Sequence, residues 1–480
     1  MKKYLCLIWM GLMSLGVATA QNVGGNTMTL TLEEAIELAL SDNPTVKVAN
    51  LEIERYDYVR KQTLSSLYPQ VDASMQYSLA LRRQEMAKGL SFGGKNTFNS
   101  AASVSLPLYA PAIYKQLQLN RAQMESAVES ARATRIDMIA SVRAAYYNVL
   151  LAKQSLAVLQ EAVLTTERVV ANTKSLYDNG LASEYDYLTA QVQLSNLRPQ
   201  VLQTESAISI TKLQLKMYLS LPEEVDVEVV GTLDSFRDKV LLSGDYSRDL
   251  SDNTTLRSLD IQADMLKTQE KLIKASRMPV VAAFGQVSFI VQEYVDISGF
   301  GALAGGAGGY GDMGNNGNGG GEEMPETMAF TRAQAGATQS TASQSKYWSQ
   351  VPVSVGAQVS IPLFAGFKTV NQLREVRNQI SQLNIQRQYA EAGIRLQVEQ
   401  AINTLLTARE TMLSNERTVE QAQKAYDISL TRYNAGAGTI LELNSSQLSL
   451  TQAQLSYSQS IYDYLSAYAS YEKTLGTENM

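Results

Sequence analysis

The chain contains no histidine, and its single cysteine, Cys6, stands near the very start. Beyond that point zinc centres, thiol nucleophiles and histidine acid/base pairs are excluded. No catalytic residue, metal ligand, cofactor or disulfide is expected. Long apolar runs are missing too. None reaches the roughly 18 residues a helix needs to span a bilayer, so a chain of this kind enters a membrane only as β-strands. Basic clusters are also absent: 41 Lys and Arg against 47 Asp and Glu leave a net charge of −6. Without a dense basic stretch to neutralise phosphates, nucleic acid is excluded as a partner. Carboxylates alone can hydrolyse glycosides, but Glu33-Glu34, Glu223-Glu224 and Glu322-Glu323 fall at a helix start, a linker and a loop, which do not fix the spacing two acids need.

What is present describes a large packed protein of 480 residues, 45% hydrophobic and 18% charged. Lys2 and Lys3, an apolar stretch from Tyr4 to Met13 and the small residues ending at Ala20 form the three-part pattern of a secretory signal over residues 1–20. The mature chain is expected to begin at Gln21, with no lipid anchor, because no apolar segment precedes Cys6.

The sequence is duplicated. Ser103-Val104-Ser105-Leu106-Pro107-Leu108-Tyr109-Ala110 matches Gln358-Val359-Ser360-Ile361-Pro362-Leu363-Phe364-Ala365. Tyr177-Asp178-Asn179-Gly180, with Ser183 and Asp186 beyond, matches Tyr433-Asn434-Ala435-Gly436, with Thr439 and Glu442 beyond. Asn43 and Pro69 match Asn253 and Pro279 at one spacing. The first repeat spans 21–219 and the second 251–480, with 220–250 between them as a collar segment.

Each repeat reads as short helix, two strands, long helix, turn and medium helix. Residues 43–66 read as helix, stopped by Tyr68-Pro69. Val71, Ala73, Met75, Tyr77 and Leu79 then alternate with polar residues at the period of a strand, and Val353 to Leu363 do the same. Residues 99–108 and 281–292 carry weaker versions. Strands of this length cross an outer membrane when tilted, although a small soluble sandwich uses the same pattern. Four strands cannot close a barrel, so in a membrane several chains must share one. The long helices are expected over Ala112–Leu176 and Lys368–Arg432. Met138, Val142, Ala145, Val149, Ala152, Leu156, Leu159 and Val163 recur at four and three along the first, and Ile394, Val398, Ala401, Leu405, Ala408 and Met412 along the second, as in a coiled-coil seam. The two shorter helices of each repeat together match the length of its long one, so they can stack end to end beside it. Residues 293–350 include a low-complexity stretch with 12 glycines between Gly299 and Gly321; this segment and 81–98 are expected as loops at the cell surface.

Leu32-Glu33-Glu34-Ala35 leading to Asn43-Pro44, the Ser-Leu-Pro-Leu and Ser-Ile-Pro-Leu strand ends and the two Tyr-x-x-Gly turns resemble the TolC family of outer-membrane efflux proteins over nearly the whole mature chain. The resemblance implies a fold of α plus transmembrane β: an internally duplicated long-helix coiled-coil tunnel, with four strands per chain contributing to a shared trimeric β-barrel. It implies a homotrimer in the outer-membrane lipid with its tunnel in the periplasm, a periplasmic adaptor, and an inner-membrane pump of the resistance-nodulation-division or ABC class. By motif position it assigns Asp186 and Tyr433 to an inter-helix gate link and Glu442 to a pore-lining acidic ring. Gly438 stands where some members have a gate arginine, and Ser445 where they have a second acid. Read alone, Glu442 lies on a solvated helix face and Asp186 where an acid steadies a helix N-terminus. The function expected is passive export of small molecules from a pump and adaptor, with no enzymatic activity. Protein secretion through an ABC transporter, and a surface stalk without conductance, are the alternatives.

Overall fold

A computed structural model describes residues 27–81, 84–87, 90–92, 96–241, 246–293 and 347–477. The signal segment 1–20 and nearly all of the Gly-rich segment lie outside the described residues. The chain divides into two compact units. The first comprises 1–59, 118–270 and 374–480, and the second 60–117 and 271–373.

The first unit is helical. It opens with β1 (Thr27–Leu30) and α1 (Leu32–Asp42), the latter started by a capping box between Thr31 and Glu34. The helix expected from residue 43 is therefore preceded by another. The break falls at Asn43, which is extended at φ −62° and ψ 128° because Pro44 follows and opens α2 (Pro44–Ser65). The long helix α3 spans Pro111–Asp178 and α4 spans Glu184–Leu219. Between the repeats, β6 (Asp226–Val229) pairs in parallel with β1, and α5 (Leu233–Leu241) follows. The second repeat supplies α6 (Thr254–Ala275), α7 (Lys368–Asn434) and α8 (Ile440–Leu475).

The repeated asparagines have a shared task. Asn43 donates from Nδ2 to the Tyr218 carbonyl in the last turn of α4 (2.8 Å), while its Oδ1 accepts from the Thr45 N–H (2.8 Å). Asn253 donates to the Thr474 carbonyl in the last turn of α8 (2.8 Å) and accepts from the Thr255 and Leu256 N–H groups (3.1 Å each). One side chain thus satisfies the end of one helix and the start of another, which joins the two medium and short helices of each repeat end to end. A buried asparagine meets this double demand because it carries both a donor and an acceptor.

The core gathers along the seams. Met138, Val142, Ala145, Val149, Ala152 and Leu159 of α3 are buried, as are Ile394, Val398, Leu405 and Met412 of α7, while Leu156, Val163, Ala401 and Ala408 are half-buried. Tyr146 is fully buried, its hydroxyl bonded to the Leu30 and Val230 carbonyls at 3.0 and 2.6 Å, and it clamps the chain around the β1–β6 pair.

The second unit holds an antiparallel sheet of β2 (Gln70–Leu79), β5 (Asn96–Tyr109), β7 (Val280–Glu293), β8 (Tyr347–Gln350) and β9 (Val353–Ser360), in the order β2-β5-β7, with β8 and β9 on successive stretches of β7. A separate hairpin joins β3 (Gln84–Ala87) and β4 (Leu90–Phe92) inside the expected surface loop, whose last residues belong to β5. The strand expected through Leu363 ends at Ser360, and Val351-Pro352 separate it from β8, since a proline N cannot join the ladder. The register carries the alternation across the sheet: Tyr77 faces Phe98, which faces Val291; Ala73 faces Ala102, Val287 and then Val353. Directly paired residues share a face, so one face is predominantly apolar, interrupted at Ser100 between Met75 and Phe289 and at Ser349 opposite Val291. Among the described residues nothing covers it: Val71 is 70% exposed, Met75 79% and Val355 83%.

Candidate functional site

The residues that the resemblance assigns to a gate all lie at the two helix-hairpin turns of the first unit. In the first, Gly180 has φ 74°, its N–H donates to the Tyr177 carbonyl (2.9 Å) and the Leu181 N–H reaches back to Leu176 (2.8 Å). In the second, Gly436 has φ 72°, its N–H donates to Tyr433 (3.0 Å) and the Ala437 N–H to Arg432 (2.9 Å). Both are left-handed helix stops of the Schellman kind, which explains the glycine of Tyr-x-x-Gly. Three residues later, Ser183 and Thr439 cap the returning helices.

The equivalent acids part company here. The Asp186 carboxylate turns back onto its own cap, accepting from the Ser183 hydroxyl at 2.6 Å and the Ser183 N–H at 3.2 Å, in a complete capping box. Glu442 receives the Thr439 cap only at its backbone N–H (3.2 Å); its half-exposed carboxylate lies 3.8 Å from the Arg432 guanidinium. That approach depends on Gly438. A Cβ there would stand 3.1 Å from the Tyr433 nitrogen and 3.2 Å from the Arg432 Cβ, so the turn folds tightly and Arg432 is brought beside Glu442. Exposed pairs at this distance contribute little to stability; the arrangement places one cation and one anion together on an open surface.

Tyr433 is half-buried, packed against the small core of Val169, Ala190, Tyr426, Ile440, Leu443 and Leu450. Its hydroxyl meets the fully buried Thr173 Oγ1 at 2.7 Å. The Thr173 proton is directed to the Val169 carbonyl (2.9 Å), so Tyr433 donates. Asp186 and Tyr433 are thus not joined within one chain: each has its own partner. The counterpart of Tyr433, Tyr177, instead stacks on Tyr187 with ring centroids 6.0 Å apart.

Three residues escaped the sequence reading. Arg432 was passed over as a helix end. Thr166 and Thr173 continue the α3 seam at its three-and-four spacing, and their polarity on a seam was the available signal. Thr166 accepts from Gln447 Nε2 at 2.7 Å, so α8 meets α3 through buried polar contacts in this stretch. Among the described residues no cluster of acids holds metal geometry, and no helix is long and apolar enough to cross a membrane.

An uncovered apolar sheet joined by sequence to helices of 67 and 68 residues is the signature of a membrane channel with a helical extension. The outer membrane efflux protein family matches residues 35–220 and 330–477. The outer membrane efflux protein BepC of Brucella suis is 27% identical over 114 residues, 24% of this chain and 25% of that protein, so the match spans a quarter of the relative's length. The Campylobacter jejuni CmeC outer membrane channel shares 15% identity, covering 93% of this chain and 85% of that one at a TM-score of 0.64. The open-state Neisseria gonorrhoeae MtrE outer membrane channel shares 15%, covering 93% and 88% at 0.65. These structural likenesses establish the fold. The chain belongs to the outer membrane efflux protein family. Its place is the outer membrane, with a helical tunnel in the periplasm.

Proposed function

We propose that this protein is the exit duct of a tripartite efflux system, in which three copies close one barrel and passively release small molecules delivered by an inner-membrane pump through a periplasmic adaptor. The observation that carries this reading is the sheet: one apolar face is uncovered, and among the described residues β2 bonds only to β5, while β8 and β9 bond only to β7. Such edges cannot stay open in hydrocarbon, because each unpaired N–H and C=O costs several kcal/mol there. Further copies satisfy them. The same need recurs on α4, where Tyr185, Leu188, Val192, Leu202, Leu213 and Met217 lie exposed at near-heptad spacing and suit side-by-side packing with another copy. An isolated surface stalk leaves both sets uncovered.

At the turns, Glu442 lines the pore entrance and Arg432 tempers its charge, while Tyr433 links to Asp186 of a neighbouring copy in the closed state. Accumulation of a fluorescent efflux dye in a deletion strain tests the reading. Accumulation must rise on deletion and fall again when the gene is restored on a plasmid. If deletion changes only the set of secreted proteins, the cargo is protein and small-molecule efflux is refuted.

A further inference from the structure

The end of the sheet where strands run into helices has a one-sided charge composition. Four segments of the second unit make these junctions, 60–69, 109–117, 271–279 and 361–373, and together they hold seven Lys and Arg and no Asp or Glu. The same segments expose large apolar side chains: Tyr68, Tyr109, Tyr114, Leu363 and Phe364 are each about half to nine-tenths exposed. Cations beside aromatic rings at one end of a membrane sheet are suited to an interface of anionic headgroups above hydrocarbon.

The fourth junction is built differently from its counterpart in the first repeat. Ala110 is followed directly by Pro111, the first residue of α3, whereas Gly366 and Phe367 intervene between Ala365 and Lys368, the first residue of α7. Both inserted residues are left-handed, Gly366 at φ 58° and Phe367 at φ 61°. For glycine this is free; for an exposed phenylalanine it is a strained conformation that water does nothing to offset. The turn holds the Phe367 ring edge-on to Phe364, centroids 5.5 Å apart at 87°, with both rings open to the surroundings. Beside them runs a groove of about 530 Å³ lined by Ser276, Arg277, Leu363, Phe364, Phe367 and Lys368, among others, with no acidic residue in its wall. Neither Arg277 nor Lys368 has an ion-pair partner among the described residues.

We propose that this groove is a phospholipid site: Arg277 and Lys368 hold the headgroup phosphate of an anionic lipid of the periplasmic leaflet, and Leu363, Phe364 and Phe367 receive its acyl chains. Arginine grips phosphate oxygens through paired N–H donors, lysine adds a point charge, and Thr369 offers a hydroxyl donor at the same wall, the Ser276 hydroxyl being given to the Ile273 carbonyl (2.8 Å). The strained Phe367 is the device that turns an aromatic ring outward, where only a hydrocarbon partner rewards it. The proposal rests on the membrane-channel reading, because the lipid must lie beside the sheet.

The test uses the purified full-length protein in neutral detergent, with thermal unfolding and native mass spectrometry as readouts. Added phosphatidylglycerol raises the unfolding midpoint and stays bound in the mass spectrum, since a ligand of the native state stabilises it by mass action; phosphatidylcholine and inorganic phosphate do neither. Arg277→Gln with Lys368→Gln removes most of the midpoint shift, while Lys174→Gln with Lys424→Gln, which deletes two cations of the helical unit, leaves it intact. Phe367→Gly keeps the turn without strain, so it does not lower the lipid-free midpoint, yet it shrinks the shift. Equal stabilisation by inorganic phosphate overturns the lipid assignment, and an undiminished shift in the double variant overturns the site. Wild-type conductance in planar bilayers separates the two readings: if it is present while the lipid effect is absent, the site fails and the channel stands; if the wild type neither conducts nor enters liposomes, both fail.

Discussion

Replacing Thr173 by Val should close the channel further. The reason lies in who holds the proton. A carboxylate only accepts hydrogen bonds, so Tyr433 must donate in any link to Asp186 of a neighbouring copy. In the single chain that proton goes to Thr173 Oγ1, 2.7 Å away. Closing the gate therefore requires Tyr433 to leave Thr173, at a cost of about 1 kcal/mol for a neutral hydrogen bond. Valine matches threonine in shape within the fully buried site but removes the competing acceptor, so each copy gains about 1 kcal/mol toward the closed state. Three copies moving together would shift the closed-to-open ratio by roughly a hundredfold. The assay is single-channel recording in planar bilayers at fixed voltage and salt, with Tyr433→Phe plus Asp186→Ala as the opposing control, expected to raise conductance. A Thr173→Val channel that gates like the wild type, beside a control that opens, would show that no proton is contested and sink this account.

Glu442→Ala should weaken cation selectivity and block by divalent cations in bilayers; unchanged reversal potentials would remove Glu442 from the pore. Gly436→Ala and Gly476→Ala separate strain from crowding. The first meets open space and costs about 1–2 kcal/mol for a left-handed alanine, whereas the second also drives a Cβ to 2.5 Å from the Asp252 carbonyl, so its melting temperature should fall distinctly further. Glu228 is held below the usual carboxylate range, first by its hydrogen bond to Lys153 and then by Lys212. A depressed carboxyl contributes stability above its unfolded pKa and loses it as pH falls through the folded value. Thermal melts taken downward from about pH 5 should therefore show Glu228→Gln losing less than the wild type; parallel curves would contradict the linkage.

Much of this architecture could be read from one chain because duplication turns spacing into evidence. The asparagines at 43 and 253 and the glycines at 180 and 436 recur, and each pair proves to make the same bonds. The β1–β6 pair stayed hidden: four residues are too few to display a period, and the partner lies some 200 residues away. Strand β8 (Tyr347–Gln350) was not read either: its four residues fall in the segment 293–350 expected as a surface loop, and Val351-Pro352 cut it off from the clean alternation that starts at Val353. At the turns, Asp186 was legible as an acid at a helix N-terminus, and its carboxylate proves to bond the Ser183 cap. The Arg432–Glu442 approach was not legible, since it exists only once Gly438 lets the turn fold tight.

The two turns began as the same hairpin and now divide their labour. In the first, the acid gives one oxygen, Oδ2, to the cap of its own helix and keeps Oδ1 for the proposed gate link; in the second, the threonine cap works without the acid. A gene that carries one motif twice can afford such divergence, because the structural duty stays satisfied in one copy while the other drifts toward a new task. Glu442 is what that freedom left at the surface, and a search for further innovation in this chain would begin at other positions where paired residues have ceased to behave alike.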